Sequence, residues 1–203
     1  MGPVTNSTGN EQLIRCEGKS IGEILDFSKL WTQHSPQSYL QTNQLSFFCI
    51  ALTRTTIEEV GHFDETYGLG YYEDVDYCIR ISNAGKTLYI AENVFIYHKG
   101  SKSFSKTPRK VKELMRKNRK ILLRKFGELA RKNLIHLRDA NLGVLWHYVH
   151  SFSIENKKNI DFRFQERLKL AKVEMPKGYV KKFIYLRKIL KVEKAWKELN
   201  AAY

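Results

Sequence analysis

Residues 61–104 carry a pattern that admits few folds. Glu73, Asp74 and Asp76 open an amphipathic run in which Val75, Cys78, Ile79 and Ile81 are apolar and Arg80 and Asn83 polar. That spacing predicts a short helix, and Gly85 stands where a helix accepts a left-handed residue to stop. Two β-like runs, 86–90 and 94–97, then lead to His98 and a polar loop containing Ser101 and Ser103. A helix running straight into strands predicts an α/β layer architecture. It also sets three carboxylates at a helix start and an imidazole at a strand end.

These residue types carry chemistry in that arrangement. Free N–H groups and the macrodipole at a helix N-terminus favour a charged carboxylate, which can take a proton from a bound hydroxyl. A neutral imidazole at a strand end can ligate a divalent metal. Acids in a first helical turn also serve simply as caps, and a lone His can simply close a strand, so both readings stand at this level.

Earlier in the chain, residues 2–6 read as a strand end leaving into a polar loop. Residues 20–32 read as a helix, and 33–38 as a polar loop around Pro36. The continuous apolar run 45–52 predicts a strand buried on both faces. Thr55 with Glu58, or Thr56 with Glu59, fits a capping box for a short helix ending near Gly61. Gly68 and Gly70 supply a flexible turn before the acidic helix, either for positive φ or for close approach to a ligand.

The ordered set Gly61, Phe63-Asp64-Glu65, Tyr72-Glu73-Asp74, Asp76, Cys78, Arg80, Gly85, His98 and Ser103 resembles the C-terminal half of a family-2 glycosyltransferase domain. Residues 2–6 and 9–11 resemble the segment soon after that family's metal-binding Asp-x-Asp motif, and Asn118-Arg119 is a looser echo. The resemblance covers about residues 1–104. It implies a partial A-type domain, a mixed sheet with flanking helices, acting on a nucleotide-diphosphate sugar and a hydroxyl acceptor. Glycan or cell-surface polysaccharide synthesis is the expected setting.

Asp74 is then the expected catalytic base, Glu73 its acceptor-side partner, and His98 a metal or diphosphate contact. Asn6, Gly70, Tyr72, Asp76 and Ser103 are expected to contact substrate. A divalent cation, Mn or Mg, is the implied cofactor. The family's first nucleotide-binding strand and its Asp-x-Asp motif have no counterpart here, since Asp74-Val75-Asp76 lies in the base motif. The expectation is a truncated transferase that moves no sugar alone and leaves one side of the apolar strand 45–52 bare.

The second half differs in charge. Residues 1–106 hold 9 Lys+Arg against 12 Asp+Glu, a net of −3, whereas 107–203 hold 26 against 9, a net of +17. This step divides an acceptor-side domain, 1–106, from a basic all-helical region, 107–203. Thr107-Pro108 opens a helix with an apolar stripe through Val111, Leu114, Ile121 and Phe126. Asp139 caps a second helix, residues 160–173 make a third, and about 179–199 a fourth with a seam at Tyr185, Ile189, Val192 and Trp196. His147 and His150 border an apolar face rather than a metal.

For the basic region, a solvated face docking on a partner such as the missing half ranks first. An anionic membrane surface follows, and nucleic acid comes last, because no nucleic-acid motif is present. A non-catalytic basic binding module that kept the acceptor-half scaffold is the alternative to an enzyme. No run of about 18 apolar residues spans a membrane. Cys16, Cys49 and Cys78 form no paired motif, which fits a reducing cytoplasm, with attachment to the inner membrane face as the peripheral variant.

Overall fold

A computed structural model describes residues 1–99 and 108–202. They form a mixed α/β fold with three strands, β1 (Gly2–Thr5), β2 (Tyr39–Thr42) and β3 (Leu88–Ile96). β3 lies in the centre, parallel to β1 and antiparallel to β2. The β1–β3 register slips between Pro3 and Val4, where proline withholds a ladder donor. The two β-like runs of the sequence are thus one strand, which delivers His98 just beyond its end.

α1 (Ile21–Gln33) begins at Ser20 with a reciprocal capping box to Glu23. It lays the fully buried Trp31 on the sheet, where the indole N–H donates to the Glu92 carbonyl at 2.7 Å. α2 (Arg54–Val60) is capped by Thr53, whose hydroxyl accepts from the Thr56 N–H at 3.2 Å. The cap therefore falls earlier than Thr55 or Thr56. A 3-10 turn (Glu65–Tyr67) precedes α3 (Glu73–Asn83), which stops at Ala84 and the left-handed Gly85, φ 71°.

The expected strand at 45–52 is not one. The strand that pairs with β3 on its antiparallel side is β2, a four-residue element whose exposed and buried positions alternate. Residues 45–52 contain no strand, and three of their N–H groups find partners outside any ladder. Leu45 N–H reaches Cys78 Sγ at 3.3 Å, Ser46 N–H reaches Gln12 Oε1 at 2.6 Å, and Ala51 N–H reaches the Met1 carbonyl at 2.8 Å. Leu45 is fully buried, and Phe47, Phe48 and Ile50 are half-buried. The bare strand face expected there does not arise.

Five helices follow: α4 (Pro108–Phe126), α5 (Glu128–Asn133), α6 (Leu137–His150), α7 (Lys157–Val173) and α8 (Tyr179–Ala202). α6 is capped by His136 rather than Asp139, which sits in its first turn. One core joins both sides of the charge step, with Val4, Leu88 and Ile90 of the sheet packing in the same cluster as Leu145, Phe164 and Ile189. Phe164 and Trp196 stack at 4.2 Å, 9° from parallel, and fasten α7 to α8.

Glu92 is the polar joint of this core. The fully buried carboxylate of β3 accepts from Arg163 at 2.7 Å, Arg167 at 3.4 Å, Ser38 at 2.9 Å and the Tyr148 hydroxyl. Arg163 and Arg167 are themselves buried. Burial pushes the Glu92 carboxyl up, but the two guanidinium groups and the hydroxyl donors outweigh it and hold the carboxyl below its usual range. No helix among the described residues is long and apolar enough to cross a membrane.

Candidate active site

The backbone entering α3 is unusual. Gly70, Tyr71 and Tyr72 all take positive φ, 118°, 68° and 76°. Side-chain-bearing residues in this region cost on the order of 1 kcal/mol or more each and persist only where their surroundings enforce them. Asn118 of α4 does so. It is fully buried, and its amide Nδ2 donates to the carbonyls of Tyr67 (2.8 Å), Gly70 (2.8 Å) and Tyr71 (3.1 Å). A second small core of Tyr67, Val75, Ile79, Leu122 and Ala130 locks α3 against α4 and α5 beside it.

The turn aims Glu73 and Asp74 into an open cleft of about 1320 Å³. Asp74 is half-buried, and its Oδ1 accepts from the Val75 N–H at 2.8 Å. Its carboxyl is pushed up to about 6, first by burial and then by the neighbouring Glu73 carboxylate, against the pull of backbone N–H groups of Val75, Asp74 itself and Phe47. The helix start therefore does not hold Asp74 firmly charged, as the sequence had implied. Desolvation beats the dipole and leaves a base close to neutrality. Glu73 Oε2 is buried without a hydrogen-bond partner among the described residues. Neither carboxylate makes an ion pair there.

Asp76 does the opposite job. Two residues on from Asp74, it faces the other side of the helix and is 0% exposed. It accepts from Arg80 Nε at 2.7 Å, Lys125 Nζ at 2.6 Å and the Tyr67 hydroxyl at 3.0 Å. Lys125 also binds Asp64 at 2.8 Å and holds that carboxyl far below its usual range. Asp76 is absent from the cleft lining, so the substrate contact expected of it is not made by this geometry; its saturation with donors leaves no lone pair directed there.

His98 reaches the same cleft. Its backbone is clamped by Asn6, which accepts from the His98 N–H at 2.8 Å and donates back to its carbonyl at 3.2 Å. The ring Nδ1 lies 2.9 Å from the Ser7 carbonyl, so in the neutral ring it carries the proton and leaves Nε2 as the acceptor. Phe48 stacks on the imidazole at 5.2 Å. Asn6 thus orients His98 rather than lining the cleft, while Gly70 and Tyr72 do line it. Ser103 lies outside the described residues.

Phe47 and His136 also line the cleft and were not expected there. Arg119 on its wall and the clamp Asn118 had left a trace in the sequence as the looser Asn118-Arg119 echo, with no role attached to either. His147 and His150 lie on α6, where Trp146 stacks on His150 at 5.7 Å. The divalent cation fits poorly: no three His, Cys, Asp or Glu side chains among the described residues gather as a metal set. His98 Nε2 is the nearest thing to a ligand, and one imidazole holds a hard cation weakly.

No protein-family model, no curated protein and no solved structure matches this chain.

Proposed function

We propose that the cleft is the acceptor side of a glycosyltransferase centre of the family-2, A-type kind. A hydroxyl acceptor enters beside α3, and Asp74 takes its proton as the oxygen attacks the anomeric carbon of a nucleotide-diphosphate sugar. The new C–O bond forms as the bond to the diphosphate breaks. The observation that carries this reading is Asp74 itself, a carboxyl raised to about 6, open to the cleft and free of any cation among the described residues. Such a group is ionised at neutral pH yet basic enough to accept a proton in a transition state.

Glu73 keeps that affinity high by repulsion, and the Asn118 clamp fixes the direction in which both carboxylates point. Arg119, which lines the same cleft, supplies guanidinium donors to an anionic leaving group, while both ring nitrogens of His136 are taken up by Arg138. No step is routed through a metal, because no three His, Cys, Asp or Glu side chains gather among the described residues.

The test is transfer of labelled sugar from uridine, guanosine and thymidine diphosphate donors to hydroxyl acceptors, measured on the longest reading frame that carries this sequence. Asp74→Asn is expected to cut turnover by about two to four orders of magnitude, the usual range for a lost general base, with donor affinity little changed. Full activity in Asp74→Asn, or its loss in Asp76→Asn with folding intact, overturns the assignment.

A further inference from the structure

The outward face of α8 is the strongest feature that the cleft leaves unexplained. Its inward seam, Tyr185, Ile189, Val192 and Trp196, is buried in the main core, where α8 packs on α6 and α7. A helix packed on one side ordinarily shows polar residues on the other. The first turns of α8 instead expose Tyr179 (95%), Val180 (73%), Phe183 (62%), Ile184 and Leu190. At about 100° per residue Val180, Phe183 and Leu190 fall within about 50° of the point opposite the seam, and Tyr179 and Ile184 on the two flanks. The exposed Arg187 stands among them, so the outward side is an apolar stripe interrupted by a guanidinium.

The charges around that stripe are of one sign. Lys177, Lys181, Lys182, Arg187, Lys188 and Lys191 fall between Glu174 and Glu193 with no carboxylate among them. All six are exposed, and among the described residues only Lys188 makes an ion pair, with Asp139 at 3.4 Å. The Arg187 guanidinium sits over the Phe183 ring at 5.9 Å. By contrast, α4 carries an equally basic face but exposes only Met115 among its described large apolar residues.

We propose that the first three turns of α8 are a docking surface for a bilayer rich in anionic lipid. The apolar stripe enters the boundary between headgroups and acyl chains. The flanking lysines run their stems along it and keep their ammonium groups at the phosphates. Charge selects this occupant over a second copy of the chain, since two such faces repel one another. Side-chain type favours it over nucleic acid. Three of the five exposed apolar residues, Val180, Ile184 and Leu190, are aliphatic and gain nothing from a base, whereas a bilayer buries them together with the Tyr179 and Phe183 rings.

The test is flotation of the purified 203-residue chain with vesicles of phosphatidylcholine alone or mixed with phosphatidylglycerol. Binding to the mixed vesicles, weakened by salt, and little binding to the neutral ones is expected. Phe183→Ser with Ile184→Ser lowers partitioning at least about tenfold, the loss of two buried apolar side chains. Lys181→Ala lowers it about fivefold. Because all three residues are exposed, the melting temperature stays unchanged, which separates lost docking from lost folding. Equal binding to neutral vesicles, or unchanged binding by the serine variant, overturns the proposal. So does a finding that the same substitutions abolish nucleic-acid binding or self-association while vesicle binding persists.

Discussion

Glu92, fully buried, and Asp74, half-buried at a cleft, are both carboxylates of one small protein, and they are treated in opposite ways. Glu92 is met by two arginines, a tyrosine and a serine, and its carboxyl is held down. Asp74 is met by backbone N–H groups and a second carboxylate, and its carboxyl is driven up to about 6. The chain carries a net charge of +14, so cations are not scarce. Lys125 reaches Asp64 and Asp76 but not Asp74. A neutralised carboxylate builds structure, and one left without a counterion retains the basicity that chemistry needs.

The comparison breaks most readily at Glu92. Glu92→Gln leaves Arg163 and Arg167 buried against a neutral amide, which should cost about 3–5 kcal/mol, the range for a buried pair that loses one partner. Asp74→Asn removes a charge that the fold resists, so its denaturation midpoint at pH 7.5 should match or exceed that of the parent chain. Urea titrations of the two variants side by side read this difference. Equal losses in both would mean that Asp74 is a structural carboxylate like Glu92.

The pH dependence of stability carries the same contrast with opposite signs. Glu92 binds its proton less readily folded than unfolded, so its contribution is present above its ordinary range near 4.5 and fades as pH falls below it. Asp74 binds its proton more readily folded, so its contribution falls as pH rises from its ordinary 3.8 to about 6. Between pH 4 and 6, Asp74→Asn should therefore flatten the loss of stability with rising pH.

A smaller effect sharpens the account of the turn. Asn118→Ala removes one amide from three carbonyls and should destabilise by about 1–3 kcal/mol, the cost of unsatisfied buried groups. Its signature beyond stability is faster amide exchange at Tyr71 and Tyr72, whose positive φ loses its support. Unchanged exchange there would make Asn118 a packing residue only.

Elements with a strong local period were legible in the sequence: α1 from its apolar spacing, though not its Ser20 cap, α3 with its stop at Gly85, and α8 with its buried seam. Glu73, Asp74 and His98 could be picked out for the same reason, since a helix start and a strand end are local features. β2 was not legible, because four residues including Gln41 give too short a pattern to read. The run 45–52 misled because continuous apolarity marks burial without naming a strand, and here part of it lines a cleft. Asp76 and Asp74 differ through Lys125, 49 residues away from Asp76. No local pattern reports such a partner, and Asn118 reaches the acidic turn across a similar separation.

The most direct measurement is a carbon-13 carboxyl titration of Asp74 by NMR, in the parent chain and in Glu73→Gln. The expected midpoint is at about 6 and moves down when the Glu73 charge is removed. A midpoint near the ordinary aspartate value of about 4, indifferent to Glu73, would contradict it.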